Sequence, residues 1–100
     1  MISVNVSFIG SDVQTLMVSG HANFAQYGKD IVCAGVSAIV FGGMNALESF
    51  KDNVEFIQKE NEVGIKVIHN HPTIQIVLNT ILIQLETIEN SYKNNIKINK

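Results

Sequence analysis

The stretch GHANFAQYGKDIVCAGVSA, residues 20–38, separates two kinds of hydrophobic pattern. Upstream of it apolar residues alternate with polar ones, the period-two signature of a half-buried strand. Downstream they run almost without interruption. His21 is placed to close a strand, and Cys33, the only cysteine in the chain, to open a helix. The loop between them, flanked by Gly20 and Gly28, carries both reactive side chains to one edge of the domain. A thiol and an imidazole that meet at a helix mouth satisfy what nucleophilic cysteine chemistry requires.

Working outward, Ile2, Val4, Val6 and Phe8 alternate with Ser3, Asn5 and Ser7. Gly10-Ser11-Asp12 marks a turn, and Val13 to Ser19 returns with Leu16 and Val18 inward, which predicts a hairpin. Gly20 ends it and permits a sharp exit. Asn23 to Lys29 shows no sustained period and predicts a loop. Asp30 suits the N-cap of the next helix, its carboxylate accepting from the backbone N–H of residue 32 or 33. That helix is predicted over about Ile31 to Phe50. It is apolar on nearly every face and is expected to be buried on several sides. Gly42 and Gly43 inside it each cost roughly 1 kcal/mol relative to alanine. Close approach of the sheet, or of the same helix in a second subunit, would explain them; a kink is the alternative.

Val54 to Gln58 and Val63 to Ile68 predict a second hairpin around Glu60-Asn61. Pro72 fits the first turn of another helix, where its missing N–H is harmless. Ile74, Val77, Leu78, Ile81, Leu82, Leu85, Ile88 and Tyr92 follow helical spacing, with Gln75, Gln84, Glu86 and Glu89 off that stripe. Asn94-Asn95 breaks the pattern, and Ile96 and Ile98 predict a short last strand. The order ββαββα(β) predicts an α+β fold, one domain over residues 1–100, with an antiparallel β-sheet covered by two main helices.

Composition narrows the function classes. One hundred residues suit one domain, and a hydrophobic content of 46% excludes disorder. A net charge of −2 gives no footprint for a nucleic acid, and Lys93, Lys97 and Lys100 are too sparse for a basic patch. The apolar run from Ile31 to Leu47 sits at the short limit for crossing a bilayer and is interrupted by Gly35, Ser37, Gly42, Gly43 and Asn45, so a helix in a soluble core is expected. Met1 is followed at once by strand alternation, without a secretory pattern, and a lone thiol survives best in a reducing compartment. The cytoplasm is the expected location.

Cys33 would occupy the third helical position, where the helix dipole and unpaired N–H groups favour a thiolate and Asp30 opposes it by its charge. The bland reading is a packed, inert cysteine. His21, twelve positions earlier, could take the thiol proton, or could simply bond a neighbouring carbonyl. Asp30 could orient that imidazole, although capping is the more ordinary role. Ser37, one turn after Cys33, could contact the thiolate or substrate, or back-bond to the carbonyl four residues earlier. Backbone N–H groups near Cys33 are candidate oxyanion donors. Phe24 and Tyr27 would anchor the loop or wall a peptide cleft. His69 and His71, with His21 and Cys33, would total four possible zinc ligands, but their spacing matches no zinc signature and the pair is expected to decorate the second helix.

Gly20-His21-Ala22, then Tyr27-Gly28-Lys29-Asp30-Ile31-Val32-Cys33-Ala34-Gly35-Val36-Ser37-Ala38, resembles the signature of the ribosomal-processing cysteine protease family Prp, including the His-to-Cys separation. The resemblance implies a homodimeric cysteine endopeptidase of Firmicutes and related bacteria that needs neither metal nor cofactor. Its substrate would be the N-terminal extension of the large-subunit ribosomal protein number twenty-seven. It implies Cys33 as nucleophile, His21 as base, Asp30 and Ser37 near the active site, and Gly20, Tyr27 and Gly28 in a loop that moves when substrate enters. Two other classes stand beside it. One is a non-catalytic ribosome-assembly or protein-binding module in which Cys33 is packing. The other is a thiol redox sensor, against which the lack of a second, resolving cysteine counts.

Overall fold

The computed structural model describes residues 1–20 and 30–100. The loop predicted over 23–29 lies outside them. The elements are β1 (Ile2–Ile9), β2 (Asp12–Gly20), α1 (Ile31–Ala46), a 3-10 turn (Glu48–Phe50), β3 (Val54–Gln58), β4 (Glu62–Val67), α2 (Pro72–Ser91) and β5 (Ile96–Asn99). They form one five-stranded sheet in the order β3-β4-β2-β1-β5. Both hairpins are antiparallel, as is the β2–β4 pair that joins them. The fully antiparallel sheet expected from the sequence needs one correction: β5 runs parallel to β1, with Ile2 opposite Ile96. The physical reason is the crossover, because α2 carries the chain from β4 across the sheet to the far edge.

Alternation makes the sheet two-faced. Ile2, Val4, Val6, Leu16, Val18, Ile65, Val67 and Ile96 turn to one side and are buried there with both helices. Asn5, Ser7, Thr15 and Lys66 belong to the other side, where the Ser7 and Thr15 hydroxyls bond across the hairpin at 2.6 Å. The inward residues Val13 and Leu16 are three apart, not two, because the register shifts by one residue at Ser7/Phe8 and resets the phase of β2. Leu16, Leu47, Ile65, Ile74, Leu78, Ile81 and Leu85 are among the largest fully buried side chains, each contributing about 1.5–3 kcal/mol relative to an exposed position.

α1 is arranged in longitudinal stripes set about 100° apart by the helical repeat. Val32, Val36, Val40 and Met44 face the sheet and are the buried set. Gly35 and Gly43 face α2, against Ile88 and Ile81. Cys33, Ser37 and Phe41 lie on the opposite flank and line a cleft. The expectation of burial on several sides therefore holds for two flanks only, and Ala34, Ala38 and Gly42 are exposed. The close approach anticipated at the glycine pair is real at Gly43, where its partner within the chain is α2 and not the sheet. A Cβ there would collide with Ile81 Cδ1 and stand 2.7 Å from Cγ1. Gly42 has nothing within 4 Å of such an atom. The helix also ends earlier than predicted: Leu47 is fully buried as its C-cap, and the chain tightens into the 3-10 turn that leads to β3.

Candidate active site

β2 ends, β4 begins and α1 starts at the same end of the molecule. The pairing of Ser19 with Glu62 brings the β3–β4 turn beside the exit of β2. Between that turn and the first turns of α1 lies a cleft of about 740 Å³, within the range of ligand sites. Gly20, Asp30, Cys33, Ser37, Phe41 and the segment 58–63 line it. Gly20 has φ +85°, and a Cβ on it would run into the carbonyl oxygen of Met1, so only glycine fits this exit.

Asp30 is the N-cap of α1, in extended backbone conformation. Its Oδ1 accepts from the N–H groups of Val32 and Cys33, each at 3.0 Å. Its main-chain oxygen accepts from Ala34 N–H at 3.1 Å. Such a cap contributes about 1 kcal/mol to helix stability. It places Cys33 at the third helical position, half-buried, packed on one side against the core and bordering the cleft on the other. The candidate oxyanion donors need correcting, since the N–H groups of Val32, Cys33 and Ala34 are already bonded to Asp30. An oxyanion forming at Cys33 competes with the Asp30 carboxylate for the first two.

Ser37 also borders the cleft and is exposed. Thr80 and Thr87 on α2 back-bond to the carbonyls four residues earlier, at 2.7 and 2.9 Å. Among the described residues Ser37 makes no such bond. His21, Phe24, Tyr27 and Gly28 lie outside the described residues.

His69 and His71 are not brought to Cys33. They follow β4 at its other end, where His71 caps α2 by accepting the Thr73 N–H on Nδ1 at 3.1 Å. Its ring lies 4.9 Å from that of Phe50. The zinc alternative that joined this pair to Cys33 is therefore wrong in its geometry: the length of β4 separates them. No group of three metal-binding side chains occurs among the described residues, and no helix there is long and apolar enough to cross a membrane.

Two parts of the cleft escaped the sequence reading. Phe41 shares the stripe of Cys33 and Ser37, and its four-residue spacing was the available signal. The β3–β4 turn had none, because strand order brings it there.

A family model described as cysteine protease Prp matches residues 1–97. A ribosomal processing cysteine protease Prp of Mycoplasma genitalium is 39% identical over 102 residues, spanning 100% of this chain and 96% of that protein. The corresponding protein of Staphylococcus aureus strain Mu50 is 37% identical over 91 residues, 87% of this chain and 86% of its own. The crystal structure of an essential ribosomal processing protease Prp from S. aureus, in complex with a covalently linked product peptide, matches with a TM-score of 0.92 at 34% identity over 99% of this chain and 98% of that one. The same protease with a substrate peptide gives 0.85 at 33% identity over 99% and 98% of the respective chains.

Proposed function

The chain belongs to the Prp family of cysteine proteases, and from that membership we propose that it removes the N-terminal extension of the large-subunit ribosomal protein number twenty-seven, with Cys33 as nucleophile and His21 as general base. The observation that carries the assignment of the nucleophile is the position of Cys33, in the capped first turn of α1 and on the wall of a cleft. His21 takes the thiol proton, and Cys33 Sγ attacks the scissile carbonyl carbon. The tetrahedral adduct collapses with loss of the amine, to which His21 returns the proton. Water, deprotonated by the same imidazole, then releases the acyl group from sulfur.

Asp30 fixes the helix mouth, and Ser37 is suited to hydrogen-bond the substrate backbone. The peptide binds as an extended strand. The enzyme works in the cytoplasm as a homodimer, without cofactor or metal and without contacting nucleic acid or membrane.

The test is cleavage of a peptide spanning the extension junction by the full chain and by Cys33→Ala. Turnover by the variant is expected to fall by a factor of about 10⁴ or more, with its thermal melt unchanged. Full cleavage by Cys33→Ala overturns the reading.

A further inference from the structure

The sheet has two edges, β5 and β3, and the chain treats them differently. On β5 the bonding side is fixed by Ile2, whose N–H donates to the Asn95 carbonyl at 2.9 Å while Ile2 stands opposite Ile96. Alternate residues of a strand turn their backbone groups to opposite sides. Asn95, Lys97 and Asn99 therefore face β1, and Ile96 and Ile98 direct their N–H groups to the open edge. Neither donor is free. Ile96 donates to the Tyr92 carbonyl at 3.3 Å, and Ile98 to Glu89 Oε2 at 2.7 Å. Glu89 is half-buried on α2, and Lys93 follows it one turn on, at the spacing of an ordinary glutamate–lysine pair. Yet the one ion pair among the described residues joins Lys100 to Glu86. The Glu89 carboxylate is spent on a backbone amide of an edge strand.

β3 has no such cover. Ile68 N–H donates to the Asn53 carbonyl and Lys59 N–H to the Glu62 carbonyl, which fixes the bonding side of β3 and turns Val54, Phe56 and Gln58 outward. Their N–H groups meet no partner among the described residues. A row of unpaired backbone groups is a template for a further strand.

We propose that Glu89 closes the β5 edge against a second copy of this chain, so that sheets can pair edge to edge only through β3. Two β3 edges pair once and leave no open edge behind. Pairing of β3 with β5 would instead repeat from copy to copy without closing, the arrangement that builds fibres. Edge pairing stays self-limiting while both β5 donors are spent within the chain.

The test compares the full chain with four variants by amide hydrogen exchange and by sedimentation over a concentration series. Glu89→Ala and Glu89→Met both remove the acceptor, and the second keeps the packing of the stem should the first fold poorly. Glu89→Gln keeps an acceptor oxygen. Glu86→Ala removes a carboxylate from the same helix without touching the edge. In Glu89→Ala and Glu89→Met the Ile98 amide is expected to exchange about tenfold or more faster, and the average mass to climb with concentration past that of wild type. Glu89→Gln and Glu86→Ala follow wild type, and thermal melts identify the folded variants. The proposal is overturned if Ile98 exchange is unchanged in Glu89→Met. It is equally overturned if that amide is freed and the mass stays that of wild type at every concentration. Association of Glu86→Ala to the same extent would also overturn it, by making lost charge the cause.

Discussion

At the end of the sheet away from Cys33, polar side chains tie the elements together. Gln75 reaches from α2 to both backbone groups of Val13, accepting its N–H at 2.8 Å and donating to its carbonyl at 2.9 Å. It also donates to Asn70 Oδ1, while Gln14 donates to the Val67 carbonyl and Asn53 to that of His69. At the Cys33 end, the described polar side chains on α1 do less holding. Asp30 caps the helix, Ser37 makes no back-bond, and an apolar-floored cleft separates α1 from the β3–β4 turn. One end uses its polar groups to fix the chain, and the other leaves an open cleft. Function drawn from the less tightly bonded part of a fold is the general pattern.

That contrast has measurable edges. The largest effect on stability is expected at the tied end. Gln75→Leu strands the buried N–H and carbonyl of Val13 and should lower unfolding free energy by about 2–4 kcal/mol, seen by urea denaturation. Below its melting temperature the variant should hydrolyse the junction peptide as wild type does. Loss of hydrolysis in a folded Gln75→Leu would mean that the two ends are coupled.

A smaller effect separates the neighbouring glycines. Gly43→Ala pushes into Ile81, and the overpacking should outweigh the gain in helix propensity, for a net loss of about 1 kcal/mol. Gly42→Ala meets open space and should gain up to about 1 kcal/mol. A loss at Gly42, measured in the assembled protein, would place the second subunit against that stripe. Comparable in size are the helix caps, where His71→Ala and Asp30→Ala should each lower stability by about 1 kcal/mol. Only Asp30→Ala should change kcat for the peptide, because only that cap holds the turn that carries Cys33. Equal kinetics for the two variants would erase the distinction between the ends.

What sequence conveyed was local. The period-two runs, the N-cap at Asp30, Pro72 at the start of α2 and the apolar stripe of α2 all appear where pattern put them. Each is decided by residues within a few positions of one another. The parallel seating of β5 and the β3–β4 turn beside Cys33 depend on strand order, which no short window contains. The mouth of α1 is a subtler case. Sequence suggested both a carboxylate cap and N–H groups available to an oxyanion, and only coordinates reveal that they compete for the same donors. Continuous hydrophobicity hid the stripes of α1, because glycine against α2 and valine against the sheet look alike to a moment of pattern.

The phasing of α1 limits how this protein can change over time. Inserting or deleting one residue between Asp30 and the sheet-facing valines would turn every following side chain by about 100°, a little over a quarter of a revolution, relative to its neighbours. An insertion would swing a valine toward the cleft, and a deletion would swing a serine toward the core. This helix can tolerate changes of letter at many positions, but a change of length would scramble its three neighbours at once.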